Sequence, residues 1–132
     1  MANEIIIRGS TISDIPSFYA EINRVFMHNE NWQIGESLDA FDDLLYGGFG
    51  ALHNTKVTRI VWTDIELSKK ALGYETTKLY YMEKLRPGSP FNRQHFTAKL
   101  KELEAGTGET YFDIVITILL SHANIELIIN PG

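Results

Sequence analysis

Four carboxylates, Glu36, Asp39, Asp42 and Asp43, stand within eight residues with no base among them. Such a group could ligate a hard cation, move protons, or present negative charge to a basic partner. A cation site wants ligands converging from several elements, often with histidine. The histidines His28, His53, His95 and His122 are scattered and form no H-x-x-x-H pair. Each is expected to be a surface or loop residue. HEXXH, P-loop, G-x-G-x-x-G and G-x-S-x-G patterns are absent. The chain has no cysteine, which excludes disulfides, zinc–thiolate sites and thiol catalysis. The expectation is a protein that is not an enzyme and carries no metal and no cofactor.

The acids belong to the stretch GESLDAFDDLLYGG, residues 35–48. Ser37 is its candidate N-cap and Gly47-Gly48 its stop. At about 100° per residue, Leu38, Phe41, Leu44 and Leu45 share one third of a helical wheel. Asp39 and Asp43 lie together opposite, Glu36 points the same way, Tyr46 flanks them, and Asp42 sits at the boundary. An apolar face therefore docks on a core while a carboxylate face points outward. Like charges four residues apart cost a helix a few tenths of a kcal/mol. Asp39 recovers some of this from the dipole at the N-terminal end, whereas Asp43 sits where an anion is disfavoured. Three readings stand: a solvated acidic face, a metal or acid–base cluster, and a surface that mimics phosphates for a cationic pocket.

The surrounding elements must hold that helix. At 132 residues the chain fits one domain and can bury a core without staples. A net charge of −5 argues against direct binding of nucleic acid or a membrane surface. No signal peptide or membrane span is read, so a cytoplasmic location is expected. Glu4 to Arg8, with three successive isoleucines, predicts a strand buried on both faces. A helix follows with Ser13 as N-cap and Asp14 and Pro16 in its first turn, ending near Met27. Residues 49–55 read as loop, Val57 to Thr63 as a second strand, and a short helix begins after Asp64. Asn124 to Ile129 is the terminal strand, closed by Asn130-Pro131-Gly132. Strands separated by helices, without hairpin signals, predict an α/β fold with a small parallel sheet.

Residues 74–109 stand apart. Glu75 to Leu85 and Asn92 to Glu104 are amphipathic helix candidates around a Pro/Gly loop. The run 114–120 is ambiguous, because β-branching says strand and the capping box Thr110-x-x-Asp113 says helix. If it is a helix, it is apolar nearly all round and needs cover on both sides, from the sheet and from the 74–104 helical pair.

The segment Gly35-Glu36-Ser37-Leu38-Asp39-Ala40-Phe41-Asp42-Asp43-Leu44-Leu45 resembles the G-E-N-L-D-A-L-W-D-x-L signature of the barstar family, intracellular inhibitors of secreted ribonucleases. The opening strand with Gly9, the Ile12-Ser13-Asp14 helix start, Trp62 followed by Glu66-x-Ser68-Lys69, and the last strand agree in order. The resemblance covers about residues 4–70 and 110–130. It implies a barstar-like three-stranded parallel sheet packed against helices, with 111–121 helical and 74–109 an added helical insertion. It also implies that the second helix and the loop before it plug a basic ribonuclease toxin, with Asp39 and Asp43 meeting the catalytic cations. Gln33, Ser37, Asp42, Tyr46 and Gly48 fall where family members make further contacts, and Glu36 lies beside them.

Four positions depart from the family pattern. Gln33 and Ile34 replace two aromatics, with Trp32 earlier, Asp42 replaces the tryptophan, and Thr117 falls where an assisting glutamate is usual. The insertion offers an alternative: a module that keeps the fold but binds a non-nuclease partner through Tyr74, Tyr80, Tyr81 or Phe91. The competing role for those aromatics is packing onto the core.

Overall fold

The computed structural model describes residues 3–53 and 57–130. Three strands, β1 (Asn3–Arg8), β2 (Thr58–Thr63) and β3 (Ile125–Ile129), form one parallel sheet in the order β1-β2-β3. Six helices connect them: α1 (Ile15–Phe26), α2 (Leu38–Leu45), α3 (Ile65–Ala71), α4 (Tyr74–Lys84), α5 (Arg93–Glu104) and α6 (Tyr111–Leu120). The chain is thus α/β with a three-stranded parallel sheet packed against helices, as its alternation of β-branched and amphipathic segments predicts. The 49–55 loop carries a 3-10 turn at Gly50–Leu52, and its last two residues lie outside the described ones, as does the closing Pro131-Gly132.

Helices cover one face of the sheet. Ile5 and Ile7 of β1 and Thr58, Ile60 and Trp62 of β2 are buried there among Phe18, Ile22, Phe41, Leu44 and Val115. The opposite face carries a row of charge, Glu4–Arg59–Glu126, and a row of aliphatics, Ile6–Val61–Ile128. Ile6 is 48% exposed, so β1 is not buried on both faces. A run of isoleucines reports β propensity, but the number of covering layers decides which side chains are hidden.

The N-cap of α1 is Asp14, not Ser13. The Asp14 carboxylate accepts the Ser17 N–H at 2.9 Å, and the Ser17 hydroxyl accepts the Asp14 N–H at 2.9 Å, a reciprocal box. Gly9 is obligatory where β1 turns toward α1. A Cβ there would overlap the Thr63 carbonyl oxygen and lie 2.7 Å from the Ser68 hydroxyl. That hydroxyl accepts the buried Trp62 Nε1–H at 2.9 Å and donates to the Gly9 carbonyl at 3.1 Å, tying α3 to the sheet.

The ambiguous run resolves as helix, α6 at Tyr111–Leu120. Thr110 and Asp113 close the capping box, and Tyr111, Phe112, Val115 and Leu119 are buried. The expected cover by the sheet is supplied by β3 and that by the 74–104 pair by α4, whose Thr77 hydroxyl accepts the Tyr111 N–H at 2.7 Å and whose Tyr80 packs edge-on to Tyr111, while α2 adds a further contact that the sequence did not suggest. α5 packs on α4, one layer out, through Tyr81–Phe96 contact and the buried Leu103. Leu120 is left 68% exposed. In the insertion, Tyr81 is buried and Tyr80 half-buried, whereas Tyr74 and Phe91 remain exposed. Among the described residues no helix is long and apolar enough to cross a membrane.

Candidate functional site

Helix α2 is built as the wheel requires. The Ser37 hydroxyl accepts the Ala40 N–H at 3.0 Å, satisfying an N-terminal donor. Phe41, Leu44 and Leu45 are completely buried, each stabilising the docked helix by roughly 1.5–3 kcal/mol. At the C-terminal end the Gly47 N–H donates to the Leu44 carbonyl at 3.3 Å, with Gly47 at φ +84°. Glycine suits that left-handed turn, whereas a Cβ on Gly48 would meet nothing. Gly47 is therefore the stop, and Gly48 only lengthens the exposed turn.

Two long-range clamps hold the segment. Asn23 of α1 is buried, and its side-chain amide bonds both ways to Ile34: the Ile34 N–H donates to Oδ1 at 2.9 Å, and Nδ2 donates to the Ile34 carbonyl at 3.2 Å. This fixes the loop that carries the exposed Gln33 into α2. At the other end, Asn124 Nδ2 donates to the Leu45 carbonyl at 3.1 Å, satisfying an acceptor in the last turn. An eight-residue helix is marginal alone, so its orientation comes from these tertiary contacts.

The four acids are not equivalent. Asp42 is half-buried, and its Oδ1 lies 2.7 Å from Nε2 of His122. His122 is 6% exposed, and the Tyr46 ring covers it edge-on with centroids 4.6 Å apart. His122 is thus a loop residue, as expected of each histidine, but a buried one rather than an exposed one. The turn between α6 and β3 folds back under the end of α2, and the ring is accommodated because the Asp42 carboxylate accepts the bond from Nε2–H that burial demands. The other histidines are exposed. By contrast, Glu36, Asp39 and Asp43 are exposed and, among the described residues, their side chains enter no hydrogen bond or ion pair. Three uncompensated carboxylates therefore stand on and beside a rigid helix, and Tyr46 is 72% exposed at their edge.

The insertion reaches this surface. Burial first, and then the charge of Asp39, push the Tyr80 hydroxyl above its ordinary value. Glu36 adds in the same direction to Tyr19 and Tyr111, whose buried hydroxyls bond each other at 2.6 Å beneath the site. Trp32 stacks obliquely on Phe49 with centroids 4.9 Å apart, and its indole N–H donates to Glu30 at 3.2 Å. Thr117 is exposed on α6 and supplies no carboxylate.

Sequence patterns bring Glu36, Ser37, Asp39, Asp42, Asp43 and Tyr46 into one segment, and the structure places them on α2, at its two caps and, for Glu36, just before it. Reasoning from sequence missed the roles of His122, Asn124 and Asn23, and named Tyr80 only as an anchor of the insertion. The only signal for His122 was a charged residue at the helix boundary lacking a visible partner. Among the described residues, no three of the histidine, aspartate and glutamate side chains converge as a cation site. Compared with models of known families, with curated proteins and with solved structures, the chain matches none.

Proposed function

We propose that this protein is a barstar-like inhibitor or immunity protein whose α2 plugs the basic active site of a toxic nuclease, a ribonuclease first among them. The supporting observation is the set of unpaired carboxylates, Asp39 and Asp43 on α2 and Glu36 just before it, with Phe41, Leu44 and Leu45 of the same helix buried on the other side. Carboxylates left without an internal partner on a clamped helix are preorganised for an external cation. Arginine and lysine desolvated against them supply binding energy, and the long-range field speeds encounter. The resemblance of residues 35–45 to the barstar signature points the same way. In this reading the protein needs no catalysis and no cofactor, touches no nucleic acid itself, and acts in the cytoplasm of the cell that makes the toxin.

Asp42 takes no direct part in this plug. It holds His122, so Asp39, Asp43 and Glu36 carry the charge, with Gln33, Ser37, Tyr46 and Gly48 at the rim. The test is inhibition of a panel of basic secreted ribonucleases, with cleavage of a fluorogenic RNA followed at increasing protein. Asp39→Ala and Asp43→Ala should each weaken inhibition by several kcal/mol while leaving the fold intact. Inhibition that survived both changes would sink the plug.

A second reading is favoured by Leu79 and Met82, which are 65% and 49% exposed on α4. They would let the insertion bind a non-nuclease partner independently of the acids. Leu79→Lys would abolish such binding and leave ribonuclease inhibition unchanged.

A further inference from the structure

The two edges of the sheet are finished differently. In the parallel register, Glu4, Ile6 and Arg8 turn their backbone groups away from β2, toward the β1 edge. That edge is guarded. The Arg8 N–H donates to Glu21 at 2.7 Å, the Ile6 carbonyl lies 3.5 Å from the Arg24 guanidinium, and the Arg8 carbonyl accepts from the Thr11 hydroxyl at 2.8 Å. Side chains of α1 thus occupy groups that a further strand would need, one recognised way of protecting an edge.

The β3 edge has no such guard among the described residues. Asn124, Glu126, Ile128 and Asn130 pair toward β2, as the Thr58 N–H to Asn124 carbonyl bond at 2.9 Å and the Asn130 N–H to Trp62 carbonyl bond at 2.9 Å fix. Ile125, Leu127 and Ile129 therefore face outward. The Ile125 N–H is used by the His122 carbonyl, leaving the Ile125 carbonyl and both groups of Leu127 and Ile129 open. The strand reads IELII, with no proline, no lysine and one acid, and Ile129 is 55% exposed.

We propose that β3 pairs antiparallel with β3 of a second copy, joining two sheets into one of six strands. The occupant follows from self-complementarity. A two-fold axis at Leu127 forms both Leu127–Leu127 backbone bonds. It also gives each open Ile125 carbonyl the Ile129 N–H of the other chain, so the occupied Ile125 N–H groups cost the pairing one terminal bond at each end. On the helix-covered side, Ile125 meets Ile129 and Leu127 meets its own copy, an apolar strip. On the open side, Glu126 meets Ile128 rather than another Glu126, so no like charges oppose. Isologous contact of this kind is the commonest way that identical chains associate. A five-residue strand pair buries little surface, which places the dimer in the weak, concentration-dependent class. The proposal is independent of what α2 binds.

Sedimentation equilibrium from micromolar to millimolar protein tests it. The mass should rise from the 15.0 kDa of one chain toward twice that value. Ile129→Lys, at an exposed position that tolerates polarity in the monomer, should raise the dissociation constant about tenfold or more. Ile6→Lys, equally exposed on the guarded strand, should leave it unchanged. Leu127→Cys provides a second arm. The chain has no other thiol, and a directly opposed pair of this type places Cα atoms about 5.5 Å apart, within disulfide reach. Oxidation should give a covalent dimer. A monomeric mass throughout, or equal disruption by Ile6→Lys and Ile129→Lys, would overturn the proposal, as would capture of a foreign strand by a chain that never self-associates.

Discussion

The imidazole of His122 meets the carboxylate of Asp42 across 80 residues of sequence, Nε2 to Oδ1 at 2.7 Å. The contact joins the last turn of α2 to the α6–β3 turn, beside the Asn124 bond to the Leu45 carbonyl. Its consequence is a division of labour in one acidic segment. Asp42 is turned inward to satisfy a buried ring, while Asp39 and Asp43 on either side of it in the helix stay unpaired. Asp42 thus serves, in this chain, to hold the helix.

Removing that partner should be costly where removing the others is not. Asp42→Ala leaves a nearly buried imidazole without its bond and should destabilise the fold by about 1–3 kcal/mol. Asp42→Asn keeps a hydrogen-bonding group in place and should cost less than about 1 kcal/mol. Urea unfolding of the two variants against the parent measures the difference. Equal, negligible losses would mean that the pair does not hold α2.

Asp39 and Asp43 should respond with opposite signs. Asp39 stands in the first turn of α2, where the helix dipole favours an anion, and Asp43 in the last turns, where it does not. Asp43→Ala should stabilise the free protein by a few tenths of a kcal/mol, since it also removes like-charge repulsion. Asp39→Ala should be neutral or slightly destabilising. Raising the salt concentration should bring the two variants together, because these are exposed charges. A clear loss of stability from Asp43→Ala would show that its carboxylate has an internal role.

Helix α2 was legible because its determinants are local. Ser37, the spacing of Leu38, Phe41, Leu44 and Leu45, and Gly47 all act within a dozen residues. The parallel sheet was legible for the same reason, as β-branched runs separated by capped helices. His122 was not, because nothing near it in sequence announces Asp42, and a lone histidine after an apolar helix looks like a turn residue. Ser13 and Asp14 are both good caps, and only the reach of Ser17 back to Asp14 decided between them. Ile6 could not be placed from propensity, since its exposure depends on one sheet face lacking helices. The further contact of α2 on α6 is a tertiary matter that periodicity does not carry.

The Tyr19–Tyr111 bond offers a double-mutant cycle beneath the candidate site. Both rings are 1% exposed, and their hydroxyls meet at 2.6 Å, joining α1 to α6. Tyr111→Phe leaves the Tyr19 hydroxyl buried without its partner, and Tyr19→Phe does the reverse. Each should cost about 1–3 kcal/mol. The double variant removes both polar groups together, so its loss should fall well short of the sum of the single losses. Simple additivity in urea unfolding would show that each hydroxyl finds another partner. Burial pushes both hydroxyls far above the ordinary tyrosine range, so neither should ionise in a native-state ultraviolet titration before the fold opens.

Glu21 should give the fold a defined acid limb. Its side chain is 3% exposed, and burial alone would raise its carboxyl. The Arg24 guanidinium, bonded at 2.7 and 2.6 Å, and the Arg8 N–H at 2.7 Å outweigh burial and hold it below its ordinary value of 4.5. A carboxyl depressed in the folded state binds protons more weakly there than in the unfolded chain. Its stabilisation is therefore complete above the ordinary value and is lost as the pH falls through the lowered one. Glu21→Gln should cost about 1–3 kcal/mol near neutrality, because it breaks a two-pronged ion pair and weakens the guard on the β1 edge. The difference between parent and variant, measured by urea unfolding at a series of pH values, should stay constant down to about pH 5 and shrink below pH 4. A difference that grew on acidification would mean that Glu21 is the destabilised partner, and that the arginines do not compensate for its burial.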